Sequence, residues 1–310
     1  MNIKKICIIG FGAVGALYGD KLNDYLGESN VEIIAKGDRF ERYTKNGISI
    51  NGKTKFYNVV EPKDASEADF VLLATKNLQI DEAIVDIKNA VGKNTIILSL
   101  LNGIESEEKL IKAYGEDKVL YGFCVGLSSE NSGSQINFSS IGKIVFGEKD
   151  NSESPKVLAL KKLFNDAQVP FLVPKDIRHD QYNKFMLNTI FNTLSAICRG
   201  GYGIFNSPSL AQLAKNIALE VIAVSEKEGV ILTLKDFENN LALMQDLPKF
   251  GRTSMCQDIM ASKKTENNWF SGTIIRLGEK HNIPTPYNRS IFLIAEGCEY
   301  RNEMNKNESN

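Results

Sequence analysis

The sequence predicts an α/β domain built on a parallel sheet, followed by an all-helical domain. Two observations carry that expectation. Short β-rich runs alternate with helical patterns through the first half, a rhythm that demands right-handed crossovers between parallel strands. From residue 176 the pattern is helical almost to the end. The boundary falls near Val173-Pro174-Lys175, which assigns residues 1–173 to the first domain and 174–310 to the second.

In chain order, residues 3–9, 31–35, 70–75 and 94–100 read as buried strands, each bounded by turn signals. Residues 13–26 and 80–90 carry helical spacing between them. Segments 48–51 and 55–60, split by Asn51-Gly52, read as a hairpin inserted in the sheet, because Asn-Gly supplies the positive φ of a tight turn. Past Ser129 a polar stretch leads to strands at 135–139 and 143–148, an antiparallel extension. Helices follow over 176–198, 208–228, 234–244, 272–280 and 287–301, and the polar tail 302–310 is expected to fray.

Composition narrows the function classes. The 310 residues suffice for about two domains. With 43% hydrophobic and 24% charged residues, disorder and low-complexity classes are excluded. Lys plus Arg total 37 against 38 Asp plus Glu, so no electrostatic footprint for nucleic acid or an anionic membrane exists. No uncharged stretch approaches the ~18–20 apolar residues that span a bilayer. Gly10, Gly12 and Gly15 interrupt the first apolar run, and no signal peptide is expected. Five scattered cysteines and two histidines argue against a disulfide framework or structural zinc, and the cysteines read as small core side chains. The expectation is a soluble cytoplasmic protein with a small-molecule partner and no metal.

Gly10-Phe11-Gly12-Ala13-Val14-Gly15 fits G-x-G-x-x-G directly after a strand and opening a helix. Gly10 makes the tight turn, Gly12 lets the backbone approach a pyrophosphate, and Gly15 allows close helix–strand packing. The helix N-terminus adds amide donors and positive dipole. An ordinary βα turn is the alternative; the strand, the helix and the next strand together favour dinucleotide binding and a Rossmann-type domain. NAD sites place Asp or Glu at the end of the second strand, about 20 residues on. This chain has Ala35-Lys36-Gly37-Asp38-Arg39 instead. Lys36 and Arg39 suit a 2′-phosphate and favour NADP(H); the alternative is two solvated bases in a loop with Asp38 as a late acid.

The first helix of the second domain carries a polar stripe. At about 100° per residue, Gln181, Asn188, Asn192, Ser195 and Arg199 fall within about 80° of Lys184. Met186, Leu187, Ile190, Leu194 and Ile197 take the opposite, core-facing side. Amides are costly to bury unpaired, so the stripe reads as the wall of a polar cavity, with an interhelical hydrogen-bond seam as the alternative. A positioned lysine in such a cavity suits hydride chemistry, since its ammonium stabilises a developing alkoxide and gives the proton.

With these residues in place, the sequence resembles the ketopantoate reductase family (2-dehydropantoate 2-reductases). The resemblance runs from IIGFGAVGALYG to HNIPTPYN, through LLATKNLQI with Lys76, LLNGIES with Asn102 and Gly103, and KFMLNTIFNTLSA with Lys184, Asn188 and Asn192. TSMCQDI with Ser254 and Asp258, then KKTENNWFSG with Glu266, complete the ordered set. The resemblance implies an NADPH-dependent reductase of 2-dehydropantoate to pantoate, in pantothenate and coenzyme A biosynthesis. It implies Lys184 as general acid, Glu266 on the substrate's hydroxyl, Ser254 on its carboxylate, and Asn188 and Asn192 orienting it. Lys76 and Asn102 sit where cofactor and substrate meet. The bland readings are Ser254 as a helix N-cap and Glu266 as a solvated charge; His179 and His281 are given no catalytic role.

Two segments depart from the family pattern. Asn268 and Ser271 stand where an Asp and an Asn are usual, and Ser195 to Gly203 replaces a Pro or Ala/Leu-rich segment, with Arg199 on the polar stripe. A reductase of another branched or hydroxylated 2-keto acid, and a non-catalytic dinucleotide sensor, are the alternatives. A homodimer is compatible with the sequence, which reveals no interface.

Overall fold

The computed structural model describes residues 2–132 and 135–308. Its contacts divide the chain into two compact units, Met1–Ile177 and Arg178–Asn310.

The first unit is a mixed sheet flanked by helices. It starts with β1 (Ile6–Ile9), α1 (Ala13–Leu26), β2 (Val31–Ile34) and α2 (Gly37–Asn46). Then come β3 (Ile48–Ile50), β4 (Lys53–Lys55), β5 (Asn58–Val60), β6 (Ala68–Leu73), α3 (Ile80–Asp86) and β7 (Val91–Ser99). It closes with α4 (Ser106–Tyr114), β8 (Val119–Ser132), β9 (Gln135–Gly147), α5 (Pro155–Asp166) and β10 (Phe171–Leu172). The sheet order is β4-β3-β9-β8-β7-β6-β1-β2-β5, with β10 beside β9. β1 lies parallel between β2 and β6, with Ile6 opposite Val31 on one side and Phe70 on the other. Strands covered on both faces need no polar alternation, which is why ICII is wholly buried. Successive side chains still part to opposite faces. Ile6, Ile8, Phe70 and Leu72 join Tyr18 and Leu22 of α1 and Leu160 and Phe164 of α5 in one core cluster. Cys7, Ile9, Val71 and Leu73 join Ile80 and Ala83 of α3 and Leu110 of α4 in another.

The fold class follows the sequence, and local details correct it. The hairpin at Asn51-Gly52 closes on β4, and Asn58–Val60 leaves it to pair parallel with β2. Residues 37–46, to which the sequence pattern assigned no element, are helical and pack Tyr43 into the core. The antiparallel extension is one long β8–β9 ribbon.

The second unit is helical. It contains α6 (Ile177–Leu187, which begins at the unit boundary), a π-turn at Asn188–Asn192, α7 (Thr193–Cys198), α8 (Pro208–Lys227) and α9 (Leu234–Asp246). It ends with α10 (Ser254–Met260), α11 (Ser271–His281) and α12 (Pro286–Glu308). The α6–π–α7 rod is central: Phe191 packs edge-on against Phe205 at 4.9 Å and stacks with Phe237 of α9 at 6.5 Å. Glu220 of α8 accepts from the backbone amides of Tyr287 and Asn288, capping α12. Tail residues 302–308 continue α12 where fraying was expected; residues 309–310 lie outside the described residues. No helix among the described residues is long and apolar enough to cross a membrane. Cys7, Cys124 and Cys256 are buried as expected, whereas Cys198 is exposed and Cys298 half-buried.

Candidate active site

In the first unit, the candidate cofactor residues all follow the carboxyl ends of neighbouring parallel strands. The glycine turn follows β1, Lys36 follows β2, Lys76 follows β6 and Asn102 follows β7. In open α/β sheets this is the edge where ligands gather.

The glycine turn has the shape that a dinucleotide requires. Gly10 has φ +88°, and a Cβ there would lie 2.4 Å from the Thr75 amide nitrogen. A Cβ on Gly15 would lie 2.1 Å from the Gly10 carbonyl oxygen, so α1 meets the strand without a side chain between them. Gly12 is different: a Cβ there would meet nothing within 4 Å. Gly12 caps α1 with no side-chain hydrogen bond, and no acid occupies the first turn. The first amides of α1 therefore face open space with their dipole uncompensated, which suits an anion. Thr75 adds a buried hydroxyl with no hydrogen-bond partner among the described residues. Ala13 and Val14 are half-buried. The ring of Phe11 packs against Tyr57 at 4.9 Å, so Phe11 offers its backbone to the turn.

The structure gives Lys36 partners that the sequence did not foresee. Its ammonium is 2.7 Å from Glu82 Oε1 and 2.8 Å from Asp86 Oδ2, both on α3. These hydrogen bonds, Asp86 first and Glu82 next, raise the Lys36 pKa above the usual lysine value. Arg39 Nη1 donates to Gln79 Oε1 at 3.4 Å. Nothing in the sequence joins position 36 to positions 82 and 86; the adjacency comes from the crossover.

Lys76 is exposed at the head of a 3-10 turn, Asn77–Gln79. Asn77, which sequence reasoning passed over, is buried and donates from Nδ2 to the Asn102 carbonyl at 2.8 Å. It thereby ties the loops that carry Lys76 and Asn102. The Asn102 loop is held from behind as well. Leu101 N and the Ser106 hydroxyl both meet Ser99 Oγ, and Ser106 Oγ donates to the fully buried Glu107 at 2.9 Å.

In the second unit, Lys184 is half-buried on α6, four residues before Asn188. Asn188 through Asn192 form the π-turn. The helical wheel assumed a regular α-helix. A π-turn covers less rotation per residue, so Asn192 turns back toward the direction of Asn188, and such turns concentrate at functional sites. Asn192 Nδ2 lies 3.4 Å from Asn188 Oδ1 and 3.5 Å from Ser254 Oγ. Asn188 Nδ2 is buried with no partner among the described residues. Three predicted residues thus meet around donors that are only weakly engaged.

Ser254 is not the N-cap of α10. Thr253 takes that role, accepting from Cys256 N at 3.2 Å, which leaves the exposed Ser254 hydroxyl toward Asn192. Glu266 is only 8% exposed, which removes the reading of a solvated charge. It stands on another segment, before a 3-10 turn that packs on α11 and α12. Ser195 and Arg199 leave the expected stripe. Ser195 Oγ donates to Gly200 O at 2.7 Å, and Arg199, in the left-handed region at φ +50°, donates to Asn302 Oδ1 at 2.6 Å. Among the departures, Asn268 Oδ1 accepts from Arg276, and Ser271 Oγ is buried with no partner among the described residues. No group of three or more His, Cys, Asp or Glu among the described residues is placed to hold a metal ion.

Residues 6–151 match the family described as Ketopantoate reductase PanE/ApbA, and residues 176–299 match Ketopantoate reductase PanE/ApbA C terminal. The chain belongs to the ketopantoate reductase family. It is 27% identical to a 2-dehydropantoate 2-reductase of Archaeoglobus fulgidus, over 96% of this chain and 99% of that one. Two solved structures share the fold. One is a dimeric ketopantoate reductase from Staphylococcus aureus, with TM-score 0.82, 20% identity and coverage of 96% of this chain and 99% of that one. The other, D-mandelate dehydrogenase with NADH and anilino(oxo)acetate, has TM-score 0.85, 22% identity and the same coverage. Membership in this oxidoreductase family leaves the acid and the dinucleotide open, since solved structures of this fold include both ketopantoate reductases and a D-mandelate dehydrogenase with NADH.

Proposed function

We propose that this chain reduces a 2-keto acid with NADPH, in first place 2-dehydropantoate to pantoate in the cytoplasm. The observation that carries this reading is the meeting of Asn188 and Asn192, in the π-turn that continues the helix of Lys184, with Ser254 of α10, in a chain whose glycine turn suits a diphosphate. The missing acid after β2, with Lys36 and Arg39 there instead, supports NADPH. NADPH supplies the hydride that the keto carbon receives. In this reading the α1 amides and the Gly12 opening hold the diphosphate, and Lys76 and Asn102 attend the nicotinamide end. Asn188 and Asn192 orient the acid, Ser254 binds its carboxylate and Glu266 its hydroxyl. Lys184 donates its proton to the keto oxygen as alkoxide character develops there. Domain roles follow, with dinucleotide on residues 1–173 and substrate on 174–310. The dimeric Staphylococcus aureus relative supports a homodimer.

A second reading, reduction of another branched or hydroxylated 2-keto acid, draws on Ser271, whose unpartnered buried hydroxyl replaces a longer amide. A sensor without turnover would have no need of the proton donor. NADPH oxidation across a panel of 2-keto acids separates the three readings. Lys184→Ala is expected to cut turnover by about 10²–10⁴-fold while dinucleotide affinity and melting temperature hold. Near-normal turnover by that folded variant overturns the mechanism.

A further inference from the structure

The end of β2 carries the charge pattern of neither ordinary dinucleotide site. A site for the 2′-phosphate offers free cations, and a site for the 2′-hydroxyl offers an acid at the strand's end. Here the cation is present, but two acids arrive from α3, four residues apart on one helix face, and close on it. Asp86 is mostly buried at this contact, while Glu82 is about half exposed. Arg39, beside them, donates to the amide of Gln79, and its charge, after that of Lys36, helps hold the Glu82 carboxyl below its usual value.

We infer that Glu82 and Asp86 are determinants of dinucleotide choice, competing with a 2′-phosphate for Lys36 and offering acceptors to a free 2′-hydroxyl. This rests on the dinucleotide reading above and changes one part of it: the margin for NADPH over NADH is narrow. A 2′-phosphate that reaches the Lys36 ammonium enters the hydrogen-bonding range of two carboxylates. That distance is well inside the screening length of about 8 Å at physiological ionic strength, so salt leaves much of the repulsion in place. The phosphate must take Lys36 from both acids or share it with them. A hydroxyl meets no such opposition, since a carboxylate accepts its hydrogen directly. The acid that the β2 sequence lacks is thus restored from a different element, one crossover away.

The test is a direct binding titration, following reduced-nicotinamide fluorescence as NADPH or NADH is added to the full-length protein. The variants are Glu82→Gln, Asp86→Asn and the double variant, each checked for an unchanged melting temperature. The parent is expected to bind the two dinucleotides within about tenfold of one another, a free-energy gap of about 1.4 kcal/mol or less. The double variant is expected to bind NADPH about tenfold more tightly and NADH no better than the parent, with smaller effects from each single variant. Equal tightening for both dinucleotides, or none for NADPH, overturns the inference while leaving the dinucleotide site intact. Absence of binding by either dinucleotide overturns the functional reading and this inference with it.

Discussion

Gly12 is where folding and binding separate most cleanly. Its φ of −88° and ψ of −153° are ordinary for an L-residue, and a Cβ there meets nothing within 4 Å. A Cβ at position 12 therefore introduces no clash, and the roughly 0.4–1 kcal/mol gained from a stiffer unfolded chain is offset by the poorer N-cap that Val makes. The melting temperature of Gly12→Val is expected to stay within a few degrees of the parent, at about 2–4 °C per kcal/mol in a chain of this size. Binding responds differently. The isopropyl group occupies the approach to the first amides of α1, and each charge-assisted hydrogen bond lost there costs about 1.5–3 kcal/mol. Two such bonds total about 3–6 kcal/mol, or roughly 10²–10⁴-fold in dissociation constant. The assay is dinucleotide fluorescence titration beside thermal melting of the same preparation. A well-folded Gly12→Val protein that binds within threefold of the parent would refute the phosphate-turn argument. Gly10→Ala is the contrasting control: with φ +88° and a 2.4 Å approach to Thr75 N, it should lose stability first.

Asn192→Ala breaks two long hydrogen bonds, so it should cost less than about 1 kcal/mol in urea unfolding yet raise KM for the keto acid about tenfold. An unchanged KM would remove Asn192 from the substrate site. Asn77→Ala removes the buried amide that donates to the half-buried Asn102 carbonyl and should destabilise the chain by about 0.5–1.5 kcal/mol, measured by urea midpoint. Glu228 supplies a pH prediction. Burial pushes its carboxyl up, but hydrogen bonds from His281 and Lys280 outweigh that and hold it below the usual value. A depressed folded-state pKa means stability present above the unfolded value of about 4.3 and lost as pH falls through the folded one. Melting temperature should therefore fall with acid in the parent, and less steeply in Glu228→Gln; identical slopes would contradict this.

Much of the fold was legible because it depends on local chemistry. ICII followed by spaced glycines can be little else than a buried strand and a tight turn into a helix, and α1 occupies the residues its periodicity marks. The split after residue 177 follows the change from alternating elements to helices. Lys184, Asn188, Asn192, Ser254 and Glu266 were found as stations in order, since family likeness is carried by short segments. The helix at residues 37–46 was missed because glycine and charged residues dominate its first turn, and tertiary packing of Tyr43 outweighs that weak propensity. The tail, equally polar, is helical as part of α12, which the Glu220 cap and the Asn302 contacts anchor.

Which side chains meet was a different matter. A wheel drawn at a constant angle put Ser195 and Arg199 beside Lys184, and the π-turn with the helix end at Arg199 sent both elsewhere. Thr253 rather than Ser254 caps α10, a choice of one residue that periodicity does not make. Above all, Lys36 read from the sequence as a cation awaiting a phosphate, and the β2–α3 adjacency gave it two carboxylates. Strand and turn formation is settled by neighbours in sequence, within a few residues. Charge balance at a site is settled by neighbours in space, here almost fifty residues away, because Coulomb energy depends on distance and not on chain order.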